Sequence, residues 1–135
     1  MDDRKRAWQL LRALLPPNHA DTREKADIYR VEPYAVAADI SACGAHYAGR
    51  GGWTWYTGAA GWLFRAFLTG VAGYERRGDR IRLCALLDEG MDEMRVVLRH
   101  GSSTYTLISA RSETGCDWAE LVDDGKMHEL RFRAR

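Results

Sequence analysis

A chain of 135 residues, 46% apolar and 29% charged, has the composition of a folded domain, or of two small ones, and not of a disordered segment. Its 20 Lys/Arg and 19 Asp/Glu leave a formal net charge of +1, which argues against the concentrated basic surface of a nucleic-acid binder. No apolar run approaches the roughly 20 residues that span a bilayer, and the opening MDDRKRAW holds no apolar stretch of the signal-peptide kind, so a cytoplasmic location is expected.

From Ala7, apolar residues recur at Leu10, Leu11, Leu14 and Leu15, the one-sided stripe of an amphipathic helix. Asp2 and Asp3 suit its positive end, and Pro16-Pro17 stops it. Asn18 to Arg30 reads as a polar, turn-like surface segment. A second helix is predicted from Glu32-Pro33 to about Ala42, with proline in its first turn. Gly44 to Gly52 is a glycine-rich loop carrying His46 and Arg50. A third helix is predicted from about Thr57 to Tyr74. Trp62, Leu63, Phe64, Phe67, Leu68 and Val71 make it apolar on most sides, the pattern of a buried helix. Three helices cannot surround one of their own number, so partner helices from elsewhere, or self-association, are expected.

After Gly73-Tyr-Glu-Arg-Arg-Gly-Asp79 the period changes to two. Ile81, Leu83 and Ala85 alternate with polar neighbours, as do Met94, Val96 and Leu98, and then Tyr105 and Leu107, which predicts strands. His100 to Ser103 and Asp123 to Lys126 read as hairpin turns, the second leading into a strand through His128, Leu130 and Phe132. Glu75-Arg76-Arg77 reads as a solvated helix end. The fold class is therefore α+β: a helical segment over residues 1–78, then a small antiparallel sheet or partial β-sandwich over 79–135.

Cys43, Cys84 and Cys116 are odd in number and widely spaced. They read as buried free thiols and not as a disulfide framework. His19, His46, His100 and His128 follow no metal-ligand spacing, so no metal is expected; His46, in the loop, is the one placed to reach a ligand. Glu32 and Asp39, seven apart on the predicted second helix, suit acid–base work or capping and a salt bridge. Trp53, Trp55 and Trp62, interleaved with Tyr56 and glycines, suit a sugar cleft, although composition by itself favours core packing.

The densest segment is Gly49-Arg-Gly-Gly-Trp-Thr-Trp-Tyr-Thr-Gly-Ala-Ala-Gly-Trp62, a glycine-rich loop feeding into a helix. Such a helix start aims unpaired N–H groups and the positive dipole end at one spot. Thr57 adds a hydroxyl and Gly58 removes a side chain, which suits an oxyanion; on the residues alone a plain capping threonine, being common, is the better explanation of Thr57. The segment fits neither the Walker A pattern nor the dinucleotide fingerprint.

This motif, with Val31-Glu-Pro-Tyr-Ala-Val-Ala-Ala-Asp39 before it, closely resembles the inverting glycoside phosphorylases of glycoside hydrolase family 94. The nearest likeness is the carboxyl-terminal phosphorylase-like domain of cyclic β-1,2-glucan synthases. Arg6-Ala-Trp-Gln-Leu-Leu11, Pro17-Asn-His-Ala20 and Tyr29-Arg30 extend the likeness in front; Gly78-Asp-Arg80, Arg99-His-Gly101 and Tyr105 extend it behind. The resemblance implies the last helices of an (α/α)6 barrel followed by a carboxyl-terminal β-domain. It implies phosphorolysis of a β-linked glucan with inversion, giving α-glucose 1-phosphate, with inorganic phosphate as co-substrate and no other cofactor. It also implies that Thr57 and the Gly58 amide contact phosphate; Trp53, Trp55, Tyr56, Arg50 and His46, read from the residues themselves, are the candidates for a sugar cleft beside it. Parent synthases of this type are inner-membrane proteins.

The departures are specific. The family's general acid, an aspartate in an Asp-Trp-Asn type motif, and its further phosphate contacts, a histidine and an arginine, belong to segments before this region. Ala38 stands where disaccharide phosphorylases of the family carry glutamine. Cys84 to Met91 lacks the proline-rich character of the family's link, and the stretch from Thr114 to Val122 is short. The expectation is a carboxyl-terminal fragment without a general acid, inactive alone, contributing to a larger enzyme through an upstream barrel segment. The alternative is a non-catalytic carbohydrate-binding or assembly module, or an inactive remnant.

Overall fold

The computed structural model describes residues 3–42, 44, 46–55, 57–115 and 117–135, the side chains of residues 3 and 4 excepted. The chain divides into two compact units, one of residues 8–65 and one of residues 1–7 with 66–135. No described helix is long and apolar enough to cross a membrane.

Helix α1 spans Asp3–Leu14. Leu15 is extended, with φ −75° and ψ 121°, the conformation a following proline imposes. The proline pair then opens a short helix, α2, Pro16–His19, because a missing N–H costs nothing in a first turn. The Asn18 amide donates to the Arg12 carbonyl at 2.7 Å and a His19 ring nitrogen lies 2.7 Å from the Ala13 carbonyl, so α2 satisfies carbonyls at the end of α1.

The surface segment expected at Asn18 to Arg30 holds α2 and a further helix, α3, Arg23–Tyr29. Thr22 caps α3 by accepting the Lys25 N–H, and left-handed Arg30 (φ 54°) ends it, its N–H bonded to the Ala26 carbonyl. Capping chemistry makes this helix. Tyr29 alone in it is buried, so there is no apolar stripe to read. Its ring stacks on His19 at 5.0 Å, and burial raises the pKa of its hydroxyl.

The helix predicted over 32–42 is not formed. Ala35 donates to the Glu32 carbonyl across a single turn at 3.1 Å, and the chain then runs extended against the glycine-rich segment. The N–H groups of Ala38, Ser41 and Gly52 bond the carbonyls of Trp53, Arg50 and Asp39 at 2.8, 2.9 and 2.9 Å. Ile40 and Gly51 form an antiparallel bridge. Ala-Val-Ala-Ala offers no bulky stripe to bury on one helix face, whereas the ribbon satisfies the backbone of both segments. Gly51 and Gly52 allow the approach: a Cβ at Gly52 would overlap the Asp39 carboxylate, and one at Gly51 would meet Val31 and Tyr29.

Helix α4, Thr57–Ala66, continues as a π-helical turn over Phe67–Val71. It stops short of Tyr74 because Gly73 turns left-handed at φ 63°. Within this chain the helix is left uncovered, as a helix whose partners come from elsewhere would be. No described residue of α4 is buried, and Trp62 and Phe64 are 72% and 65% exposed.

The described residues of the remaining chain form two three-stranded sheets. In the first, β1 (Tyr74–Arg77) and β2 (Arg80–Leu83) make a hairpin across Gly78-Asp79, and β5 (Ala119–Glu120) pairs with β2. Glu75-Arg76-Arg77 is therefore strand, not a helix end. The guanidinium groups of Arg77, Arg80 and Arg82 lie 4.9, 5.9 and 5.1 Å from the Trp118 ring, and Glu75 takes both Nε and an Nη of Arg82. This clothes one face of the sheet in cation–π contacts, while Ile81 and Leu83 are buried on the other.

In the second sheet, β3 (Glu93–His100) and β4 (Ser103–Ala110) form the predicted hairpin. The last strand, β6 (Met127–Arg133), pairs with β4 in parallel, Thr104 opposite Met127 and Ala110 opposite Arg133. The sheet is therefore mixed, not antiparallel, and Asp123 to Lys126 is no hairpin. The chain leaves β4, joins the other sheet as β5, and returns to the free edge of β4 from its starting end. Side chains fix that return: Asp123 accepts the Ser102 N–H at 2.8 Å, and the Ser103 hydroxyl accepts the N–H groups of Asp124 and Gly125, each at 2.9 Å.

The core of this unit is built on Ile81, Leu83, Leu87, Tyr105, Leu107, Ile108 and Phe132, all buried. Buried Ser109 accepts the N–H of buried Ala85 at 3.0 Å. Cys84 is disulfide-bonded, which overturns the free-thiol expectation there; Cys43 and Cys116 lie outside the described residues.

Candidate functional site

The ribbon between 38–41 and 49–53 presents two of the residues singled out by sequence, Arg50 and Trp53, and His46 lies in the loop that it closes. Arg50 lies 5.3 Å from the centre of the Tyr47 ring, and His46 meets the same ring edge-on at 4.6 Å. Together with Asp27, Ile28 and Arg30 they line an open groove of ≈ 250 Å³. Arg50 also borders a shallower cleft of ≈ 490 Å³, with Asp39, Gly51, Gly52, Trp53 and Thr54. His46 and Arg50 thus come together on one groove, and Arg50 and Trp53 on the other.

Trp53 and Trp55 are 71% and 66% exposed, so neither packs into the core of this chain. Trp55 adopts φ 64°, which for a residue with a Cβ costs about 1–2 kcal/mol. Its indole N–H donates to Glu32 Oε1 at 3.0 Å, and its ring meets Tyr34 at 6.1 Å and 66°. The Trp55 hydrogen bond, ahead of its own backbone and the Thr54 hydroxyl, holds the Glu32 carboxyl below its ordinary pKa of 4.5.

Thr57 is the first residue of α4 and is exposed, as is Gly58. Among the described residues a Cβ at Gly58 would meet nothing, so none of them blocks the approach to this helix start. Thr57 and Gly58 line neither cavity. Tyr56 lies outside the described residues. Among the described residues no group of His, Cys, Asp or Glu is arranged to hold a metal ion. Glu32 and Asp39 do not share a helix face; each instead faces the glycine-rich segment, Glu32 at Trp55 and Asp39 at Gly52. Tyr34 and the Glu32–Trp55 bond had no signal in the sequence, because the bond joins residues 23 apart through a ribbon read there as a helix.

Residues 1–73 match the model of the glycosyl hydrolase 94 superfamily, catalytic domain. The cyclic beta-(1,2)-glucan synthase NdvB of Rhizobium meliloti (strain 1021) is 44% identical over 110 residues, which are 81% of this chain and 4% of that protein. The solabiose phosphorylase of Paenibacillus borealis is 28% identical over 121 residues, 89% of this chain and 15% of that protein. The chain thus spans a small part of the length of both relatives.

Proposed function

Because the chain belongs to the glycosyl hydrolase 94 superfamily, we propose that it contributes part of the phosphate and sugar site at which an inverting phosphorylase or cyclic glucan synthase handles a β-linked glucan. The observation that carries this reading is the open start of α4. Thr57 and Gly58 stand there exposed and, among the described residues, unobstructed, on a ten-residue helix whose first N–H groups and dipole favour an anion. Phosphate held there attacks the anomeric carbon of the terminal glucosyl unit. The glycosidic bond breaks on the opposite face, and α-glucose 1-phosphate leaves. The proton for the departing sugar oxygen comes from a general acid on the preceding part of the catalytic domain, which is the partner this reading assigns to the chain.

Exposed Trp53 and Trp55, with Arg50 and His46 on the neighbouring grooves, supply the sugar side. Their exposure also suits a carbohydrate-binding module without phosphorolysis, and one experiment separates the two. With the preceding catalytic-domain segment fused or co-expressed, Thr57→Val removes one hydroxyl while keeping the shape. A hydrogen bond to a charged oxyanion contributes about 1.5–3 kcal/mol, so the phosphate KM rises roughly tenfold to more than a hundredfold, with glucan binding little changed. A melting temperature that falls while the phosphate KM stays constant identifies Thr57 as a structural residue of the helix start and refutes the site. Glucan binding without any phosphate dependence supports the binding-module reading.

A further inference from the structure

Trp55 combines three properties that packing within this chain does not explain. It is largely exposed, it holds a left-handed backbone, and its one polar atom is tied to a carboxylate on a different segment. Glycine, which adopts that backbone freely, occupies several nearby positions of the loop, yet the strained position carries the largest side chain. The indole edge is fixed by Glu32, a carboxylate that is ionised and an acceptor at neutral pH, and hydrogen bonding, that from Trp55 foremost, lowers its pKa further. Tyr34, itself 71% exposed, is inclined at 66° to the indole. The two rings therefore form a corner, and neither covers the other face to face.

A pyranose ring is recognised by that chemistry. Its C–H face packs on a flat aromatic surface held at a fixed angle. We propose that Glu32 is a positioning residue that holds Trp55 as a stacking platform for a glucosyl ring, with Tyr34 as the flanking wall. The proposal rests on the glucan reading above and adds to it the residue that orients the platform.

The test uses the full 135-residue chain, labelled at the indole nitrogens, with Trp55→Phe assigning the Trp55 N–H resonance. In the wild type this resonance moves on acidification with a midpoint below 4.5, as Glu32 takes up its proton; in Glu32→Gln it does not move. Adding a β-linked glucosyl disaccharide shifts the Trp55 resonance. Glu32→Ala weakens that binding roughly threefold to tenfold, the scale of one aromatic contact. Glu32→Gln, which keeps an acceptor oxygen, stays within about twofold of the wild type. The remaining indole resonances report whether each variant is folded, and the acid titration reads the Glu32–Trp55 bond without any variant. Equal sugar binding by wild type, Glu32→Ala and Trp55→Phe overturns the platform and leaves the glucan reading standing. A Trp55 resonance indifferent to acid overturns the positioning role. No sugar response at any indole overturns both the platform and the sugar side of the proposed site.

Discussion

Two glycines with nearly the same backbone offer a matched measurement of what close packing contributes at the head of the β-sheet unit. Gly73 and Gly78 sit at φ 63° and 61°. A Cβ on Gly78 would meet nothing, whereas one on Gly73 would overlap the Cys84 carbonyl oxygen and carbon, backbone atoms that cannot rotate away. Gly78→Ala therefore carries only the left-handed penalty, about 1–2 kcal/mol, less about 0.4–1 kcal/mol gained by stiffening the unfolded chain. Gly73→Ala carries the same balance and must also push β1 off the segment after β2. That movement strains the Cys84 N–H bond to the Gly73 carbonyl at 3.1 Å and the Leu86 N–H bond to the Val71 carbonyl at 2.7 Å. Each contributes about 1 kcal/mol, and both flank buried Val71, Ala72 and Ala85. The expected costs are about 1 kcal/mol for Gly78→Ala and about 3 kcal/mol or more for Gly73→Ala. Urea unfolding followed by far-ultraviolet circular dichroism measures both. Equal costs, within about 0.5 kcal/mol, would refute the packing argument and leave backbone conformation as the whole effect.

Acid should loosen the β6 return. The His128 hydrogen bond, with the Lys126 N–H and Ser103, lowers the Asp124 pKa from 3.8 to about 2. Its folded pKa lies below its unfolded one, so its contribution is complete above 3.8 and fades as pH falls toward about 2; Asp124→Asn should flatten that limb of the unfolding curve, and an unchanged limb would count against it. Ser109→Ala strands the buried Ala85 N–H and should cost about 1–3 kcal/mol, read as a lower melting temperature, with no loss if another acceptor takes over. The exposed Trp62 and Phe64 of α4 should make the isolated chain self-associate at micromolar concentration; light scattering from a clean monomer would contradict this, and Trp62→Gln with Phe64→Gln should reduce the association.

The second half was the more legible in sequence, for a physical reason. Met94, Val96 and Leu98 and then Tyr105 and Leu107 write a period of two, and the hairpin between them follows from Gly101, which takes φ 58°. The parallel return of β6 was not legible, because strand direction depends on where β5 docks and the local turn residues are compatible with either outcome. In the first half, α1 carries its stripe and was readable. α3 has little apolar burial and depends on Thr22 and Arg30 at its ends. The small residues after Glu32 accommodate a helix as readily as a ribbon, and the glycine segment opposite decides between them. The oxyanion recipe at Thr57 and the aromatic cluster were visible as residue types. The Glu32–Trp55 bond was not, since it exists only once that ribbon has formed.

The parallel pairing of β4 has a consequence for the order of assembly. A hairpin such as β3–β4 closes in about 1–10 μs, needing only the turn at Gly101-Ser102. Its other neighbour arrives after residues 111–126 have crossed to a different sheet and back, a non-local closure that is intrinsically slower. During that interval β4 is an eight-residue strand with one edge unpaired, able to recruit the same strand of another molecule. The Ser102, Ser103, Asp123 and Asp124 contacts stand at the point where the returning chain first meets β4. They act as a latch on register, shortening the time for which that edge stays open.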